Sequence, residues 1–315
     1  MARTRRLQSD PLIFFSALGF ILVFVAATLA FGDQARETYA AVSGWLMDHF
    51  TWLYVGGVSA TLIFLIVVFV SRYGNLRLGD DDDEPEYSYP VWFAMLFAAG
   101  MGATLMFWGA AEPLNHAYNP PRGGYDSMSR DAIIQAFQFT YYHFGIHMWV
   151  IFTLPGLAVG YFVYKRKMPA RMSSMFSPLL GGRVYDTPGK LLDALGIIGT
   201  VFGLAVSVGL GVLQISAGMN ILWDVPLVTP VQIGIICAIT IAASISVATG
   251  LDKGVKILSN LNIAGTILLM IFVLFTGPTL KLLGQITESV GIYAQSLPEL
   301  MFWVDSYNDN PGWHA

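Results

Sequence analysis

The most informative part of the sequence is a glycine-rich apolar stretch, Phe97-Ala-Ala-Gly100-Met101-Gly102-Ala-Thr104-Leu-Met-Phe107-Trp108-Gly109-Ala-Ala-Glu112-Pro113-Leu114. One interpretation is close packing, because small residues let membrane helices approach each other. The other is a break in the helix. Two glycines on either side of one methionine lower the cost of unwinding, and the freed carbonyl oxygens can then bind a cation. Both interpretations stand at this point.

This stretch overlaps one of seven apolar runs, each long enough to cross a hydrocarbon core that needs roughly 20 residues per helix. The runs are Pro11–Phe31, Phe50–Val70, Val91–Ala111, Ile133–Tyr164, Leu191–Leu222, Val231–Ala248 and Ile257–Leu280. Only 12% of the residues are charged, about half the share in a soluble domain. We therefore predict an all-α polytopic membrane protein whose first run is a retained helix rather than a signal peptide.

The distribution of lysine and arginine predicts the orientation. An N-terminus in the cytoplasm places most of these residues inside, six of them between Lys165 and Lys190, as the positive-inside rule requires. We expect a multi-pass protein of the cytoplasmic (inner) membrane with a cytoplasmic N-terminus. The net charge of −4 argues against a nucleic-acid partner. The acidic run Asp80–Glu86 is either a solvated linker or a regulatory contact with basic segments.

Few residues are candidates for chemistry. The sequence has no nucleophile–base pair and no hydrolase, metalloprotease or phosphate-loop motif, so we predict that it is not an enzyme. Glu112 either organises the turn at Pro113 or belongs to an ion path. The spacing of His143 and His147 suits two metal ligands, but no third ligand is evident nearby. Hydrogen bonds to other helices or proton relay are the alternatives for both histidines.

The fourth run carries an aromatic stripe. At about 100° per residue, one side of a continuous helix collects several rings, a methionine and a glycine: Tyr141, Phe144, Gly145, Met148, Trp149 and Phe152. Such a stripe is either ordinary helix packing or a cation site, because aromatic faces attract cations and do so more strongly where water is excluded.

These stretches together resemble the betaine/carnitine/choline transporter (BCCT) family. The resemblance is carried by Phe97–Leu114 with Asn119–Pro121, by Phe144–Gly156, by Thr200–Ile215 and by the polar Gly250–Asn262 segment. It implies a LeuT-like inverted-repeat transporter fold of twelve helices, of which about seven are present here.

The resemblance also implies a division of the chain. Residues 1–90 hold the N-terminus, two leading helices and the acidic loop, and residues 91–281 form the first five-helix repeat. Residues 282–315 hold a surface helix and a connector; hydrophobic residues at helical spacing over Leu282–Trp303 independently predict an amphipathic helix. On this basis the chain is the N-terminal part of a transporter and stops where the family's eighth helix would begin.

The resemblance implies a binding site for an onium substrate. Phe144, Trp149 and Phe152 match the aromatic box that faces a trimethylammonium group, where the family's betaine type has Trp at the first position and Tyr at the third. The other implied substrate-binding residues are Gly100, Met101, Gly102 and Thr104. Thr104 matches neither the Gly of betaine-type members nor the Asp of choline-type members.

The resemblance further implies coupling to a cation, with sodium and the proton as the alternatives, and no other cofactor. Carbonyls of Ala98 and Met101 match half of one sodium site, and Thr200 matches a hydroxyl of a second. Leu204, at the partner position of that second site, offers no oxygen. The expected function is secondary active transport of small quaternary-ammonium compounds such as betaine, choline or carnitine, by a homotrimer in the lipid bilayer. The alternative is a non-transporting membrane fragment that lacks the second repeat.

Overall fold

The computed structural model describes residues 10–100, 102–250 and 254–307, and among these it contains helices and no strand. Met101, a predicted site residue, lies outside the described residues. The α-helices are α1 (Pro11–Val70), α2 (Tyr89–Gly100), α3 (Ala103–Tyr118), α4 (Arg130–Phe144), α5 (Ile146–Val159), α6 (Ser177–Leu180), α7 (Thr187–Trp223), α8 (Thr229–Thr249), α9 (Lys256–Thr276) and α10 (Thr279–Leu300). One turn of π-helix, Gly160–Lys165, continues α5.

The apolar helices have the character of membrane spans. Within the described part of the chain, five helical segments are long and apolar enough to cross a bilayer when α4, α5 and the π-turn count together as one segment, Arg130–Lys165. The number is six if α2 and the bent helix after it also count as one span. Their large apolar side chains point outward, as Phe69 (81% exposed) and Phe275 (74% exposed) illustrate. Exposure on this scale is incompatible with water and suits lipid. The prediction of an all-α polytopic membrane protein is confirmed.

Helix α1 contains the first two predicted spans. Its backbone is non-helical at Gly32, where φ is +48°, a conformation that favours glycine. The Phe24 and Tyr39 rings stack at 5.0 Å, whereas a straight helix at about 1.5 Å per residue would hold them roughly 22 Å apart. The chain therefore turns back at Gly32. After Gly32, the connection that hydropathy left between the two spans is itself helical over residues 33–49, so the second helix begins well before Phe50.

The described helices fall into two compact units. Unit one comprises Met1–Asp83, Ile146–Gly203 and Glu299–Ala315; within it α1 packs against α5. Unit two comprises Glu84–Gly145 and Leu204–Pro298; within it α3 packs against α4, and α2 against α9.

In unit one, the acidic run contacts a basic segment of the same chain. Asp81 pairs with Lys165 at 3.0 Å and Asp80 with Lys167 at 2.8 Å. The hydrogen bond from Lys165 lowers the pKa of Asp81, and the hydrogen bond to Asp80 raises the pKa of Lys167. Of the two interpretations of the acidic run, the structure thus favours a contact with basic residues for its first two aspartates.

Candidate functional site

The structure contains the helix break that was one interpretation of the glycine-rich stretch. Helix α2 ends at Gly100, the backbone of Gly102 is extended (φ −91°, ψ −173°), and α3 begins at Ala103. The axes of the two helices differ by 61°. A helix leaves its last four carbonyls and its first four N–H groups without partners inside the helix. Ala98 lies in the last turn of α2, and the start of α3 has no side-chain cap.

Thr104 lies in the first turn of α3 and contacts the part of α7 that belongs to unit two. Its hydroxyl is 3.1 Å from the hydroxyl of Ser207 on α7. No pattern in the sequence predicted this pairing. It attaches the broken span to α7 immediately after the break.

The aromatic residues of the fourth run lie on two helices rather than one. Phe144 is the last residue of α4, and Gly145 interrupts the helix with φ −87° and ψ −141°. The stripe calculated for one continuous helix is therefore wrong for Phe144. On α5, the rings of Trp149 and Phe152 have centroids 6.1 Å apart with planes inclined at 48°. Of the three residues predicted for the aromatic box, Trp149 and Phe152 are the two whose rings the structure brings together within unit one, and we call them the aromatic pair.

A glycine is required at position 145 by its surroundings. A Cβ atom there would lie 3.0 Å from the hydroxyl of Tyr293 and would collide with the carbonyl oxygen of Tyr141. Tyr293 belongs to α10, and its ring lies 5.9 Å from that of Tyr141. Gln138 also donates a hydrogen bond of 2.8 Å to Ser296 of α10. The amphipathic helix thus packs its polar and aromatic side chains along α4.

Thr200, the residue matched to a second sodium site, lies on α7 in unit one. Its hydroxyl donates to the carbonyl of Gly196 at 2.8 Å, which leaves the oxygen lone pairs available. It lines a cavity of about 790 Å³ whose wall is mostly apolar, together with Pro155 and Val159 of α5. Arg171 and Asp193 supply polar groups to the same cavity.

Two acidic residues near the membrane have defined partners. Asp193 is buried and accepts hydrogen bonds from the backbone N–H (2.8 Å) and the hydroxyl (3.1 Å) of Ser173. Glu112 is also buried, and its carboxylate contacts His116 and His143. Sequence spacing drew attention to His143 with His147; the group that the structure assembles in unit two is His143 with Glu112 and His116.

Comparison with known proteins gives a family match over nearly the whole chain. The model for the BCCT, betaine/carnitine/choline family transporter, matches residues 12–315. The chain is 62% identical to an ectoine/glycine betaine/proline transporter, EctP, of Corynebacterium glutamicum, over 98% of this chain and 50% of that protein. It is 36% identical to a glycine betaine transporter of Acinetobacter baylyi, over 96% of this chain and 46% of that protein.

A high-affinity choline transport protein of Escherichia coli K12 is also 36% identical, over 90% of this chain and 42% of that protein. The chain thus spans about half the length of the curated relatives it matches.

Proposed function

Because the chain belongs to the betaine/carnitine/choline transporter family, we propose that it serves the secondary active transport of small quaternary-ammonium compounds across the cytoplasmic membrane. The observation that carries the proposal is the family match over residues 12–315. The substrates proposed are betaine, choline or carnitine. Betaine is the first to test, because the relative with 62% identity is named for glycine betaine alongside ectoine and proline.

The aromatic pair on α5 supports a site for the cationic head group. Trp149 is half-buried on an apolar span, and the Phe152 ring lies 6.1 Å away. A quaternary ammonium ion has no N–H to donate, so an aromatic face is the neutral surface that attracts it best. Tryptophan attracts cations more strongly than phenylalanine, and the interaction is worth about 2 kcal/mol or more when water is excluded. We therefore assign Trp149 the larger share of the binding.

The break after Gly100 supports a site for the coupling cation. Carbonyls at the end of α2, that of Ala98 among them, have no partner inside the helix and present partial negative charge. The uncapped start of α3 at Gly102 presents the opposite charge, suited to the carboxylate of a zwitterion such as betaine. We propose sodium as the cation, bound by the Ala98 and Met101 carbonyls.

Uptake of labelled betaine by cells that lack other betaine transporters tests the substrate proposal. Losing about 2 kcal/mol of cation–π attraction corresponds to a roughly 30-fold weaker binding constant. Trp149→Ala should therefore raise the apparent KM by about that factor without lowering the amount of protein in the membrane. The matched control is Trp223→Ala, because Trp223 is exposed at the end of α7. Equal KM values for the two variants would remove Trp149 from the substrate site.

Ion replacement tests the coupling proposal separately. Uptake driven by a sodium gradient in proteoliposomes should stop when potassium replaces sodium on both sides. Uptake that persists in potassium and follows a pH gradient instead would exclude sodium coupling, whatever the substrate. Competition by unlabelled choline, carnitine, ectoine and proline then ranks the substrates.

A further inference from the structure

Three side chains with metal-binding atoms converge between α3 and α4 in unit two. Oε1 of Glu112 lies 3.2 Å from Nε2 of His116, one helical turn later, and 2.6 Å from Nδ1 of His143 on α4. One ligand atom from each residue lies within 4.8 Å of the other two. We call these three residues the Glu–His–His cluster. None of its three residues belongs to the aromatic pair or to the helix break.

The surroundings of the cluster are partly closed. Glu112 and His116 are buried, whereas the side chain of His143 is 26% exposed, which leaves a way in from one side. The ring of Phe139 stands 6.0 Å from both imidazoles and covers them with apolar surface. Arg122 places its guanidinium 5.8 Å from the centroid of that same ring. Arg122 already brings one positive charge to this region. A cation that enters therefore needs the carboxylate of Glu112 to balance its charge.

The donor set is the one that zinc uses with an open coordination position. Two imidazole nitrogens and one carboxylate oxygen are a known three-residue set for Zn²⁺, with a water molecule completing the tetrahedron. Bonds of about 2.1 Å in that geometry hold the ligand atoms roughly 3.4 Å apart. The contact between Glu112 and His116 already has nearly this length, and the contact with His143 has to open by less than 1 Å.

From this geometry we propose that Glu112, His116 and His143 bind a divalent transition-metal ion, with Zn²⁺ as the best match. The ion would connect α3 to α4, because His143 is the only ligand of the cluster on the second helix. The metal ion would take the place of the two N–H hydrogen atoms through which the imidazoles contact the Glu112 carboxylate. The site is a property of unit two and does not depend on which substrate the protein carries.

Metal titration of the untagged, purified chain in detergent tests the proposal. Zn²⁺ should bind at micromolar concentration with one ion per chain, and Co²⁺ at the same site should give the visible absorption of a tetrahedral complex. Loss of an outer-shell partner typically weakens a metal site about 10–100-fold. Loss of a direct ligand in Glu112→Gln or His143→Gln should therefore weaken it by more than about 100-fold. The matched control is His49→Gln, which changes an exposed histidine of α1.

The X-ray absorption spectrum of the zinc-loaded wild-type chain gives a test that needs no variant to fold. It should show scattering from two imidazole ligands. A spectrum without imidazole scattering, or zinc affinity that is the same in Glu112→Gln as in the wild type, would overturn the proposal. Either result would leave the cluster as a carboxylate that accepts hydrogen bonds from two histidines.

Discussion

Replacing Gly145 by alanine should disturb the place where α4 ends and α5 begins. The added methyl group would meet the carbonyl oxygen of Tyr141, which belongs to the backbone, and the hydroxyl of Tyr293, 3.0 Å away. The backbone oxygen can move only if the last turn of α4 moves with it. Overpacking of this kind costs about 1–3 kcal/mol. We expect the middle of that range, about 2 kcal/mol, which is a roughly 30-fold change in the unfolding constant.

Unfolding of the purified chain by SDS in mixed micelles measures this cost. Gly156→Ala is the matched control, because a Cβ atom on Gly156 of α5 would meet no atom within 4 Å apart from its chain neighbours and the backbone of its own helix. The double variant Gly145→Ala with Tyr293→Phe should recover part of the loss, since it removes one of the two close contacts. If Gly145→Ala unfolds like Gly156→Ala, alanine fits at position 145. The interruption of the helix would then have another cause.

Two further predictions concern polar contacts in unit one. Asp193→Ala should lower the free energy of unfolding by about 1–3 kcal/mol, because it leaves the buried donors of Ser173 without an acceptor. Asp193→Asn keeps a side-chain oxygen and should lower the free energy of unfolding by less. Equal losses in the two variants would contradict this prediction. The pKa of Asp81 is lowered by Lys165, so their pair should stabilise the segment above the ordinary aspartate pKa of about 3.9 and be lost as the pH falls through the lowered value. The protection of amides 79–83 from hydrogen exchange, taken relative to the intrinsic exchange rate at each pH, should fall with this loss. The fall should be smaller in Asp81→Asn, where only the Asp80–Lys167 pair remains to titrate.

The spans were predictable from hydropathy because a segment that satisfies all its backbone hydrogen bonds within itself in a bilayer is a helix, and such a helix needs about 20 apolar residues. The helical conformation of residues 33–49 was not predictable in this way. Polar residues such as Asp33, Arg36 and Glu37 mark where the chain leaves the hydrocarbon, but these residues are equally compatible with a helix. Hydropathy indicates whether a segment lies in lipid or in water, but not whether it is helical. Helix α1 shows that one helix can continue from water into lipid.

The two helix breaks differ in whether the local sequence is sufficient to predict them. The break between Gly100 and Gly102 was one of two interpretations of the sequence, because two glycines weaken the helix there whatever packs around it. The interruption at Gly145 was missed, since one glycine in a long apolar run is common in membrane helices. Its requirement for glycine comes from the carbonyl oxygen of Tyr141 and from the hydroxyl of Tyr293, and the second of these lies far along the chain on α10, where the local sequence does not show it. The same reason hid the Glu–His–His cluster, whose third ligand, His143, arrives from the next helix.

Thr104 shows how a contact changes the meaning of a residue that a family comparison singles out. The resemblance implies glycine at this position in betaine-type members and aspartate in choline-type members, so the threonine suggests an explanation in terms of substrate contact alone. Here its hydroxyl lies 3.1 Å from Ser207 and connects the first turn of α3 to α7. Replacing Thr104 by glycine therefore removes a helix–helix contact as well as a side chain. A change in substrate preference after that substitution would have two causes, and Ser207→Ala, which removes the contact and keeps Thr104, separates them.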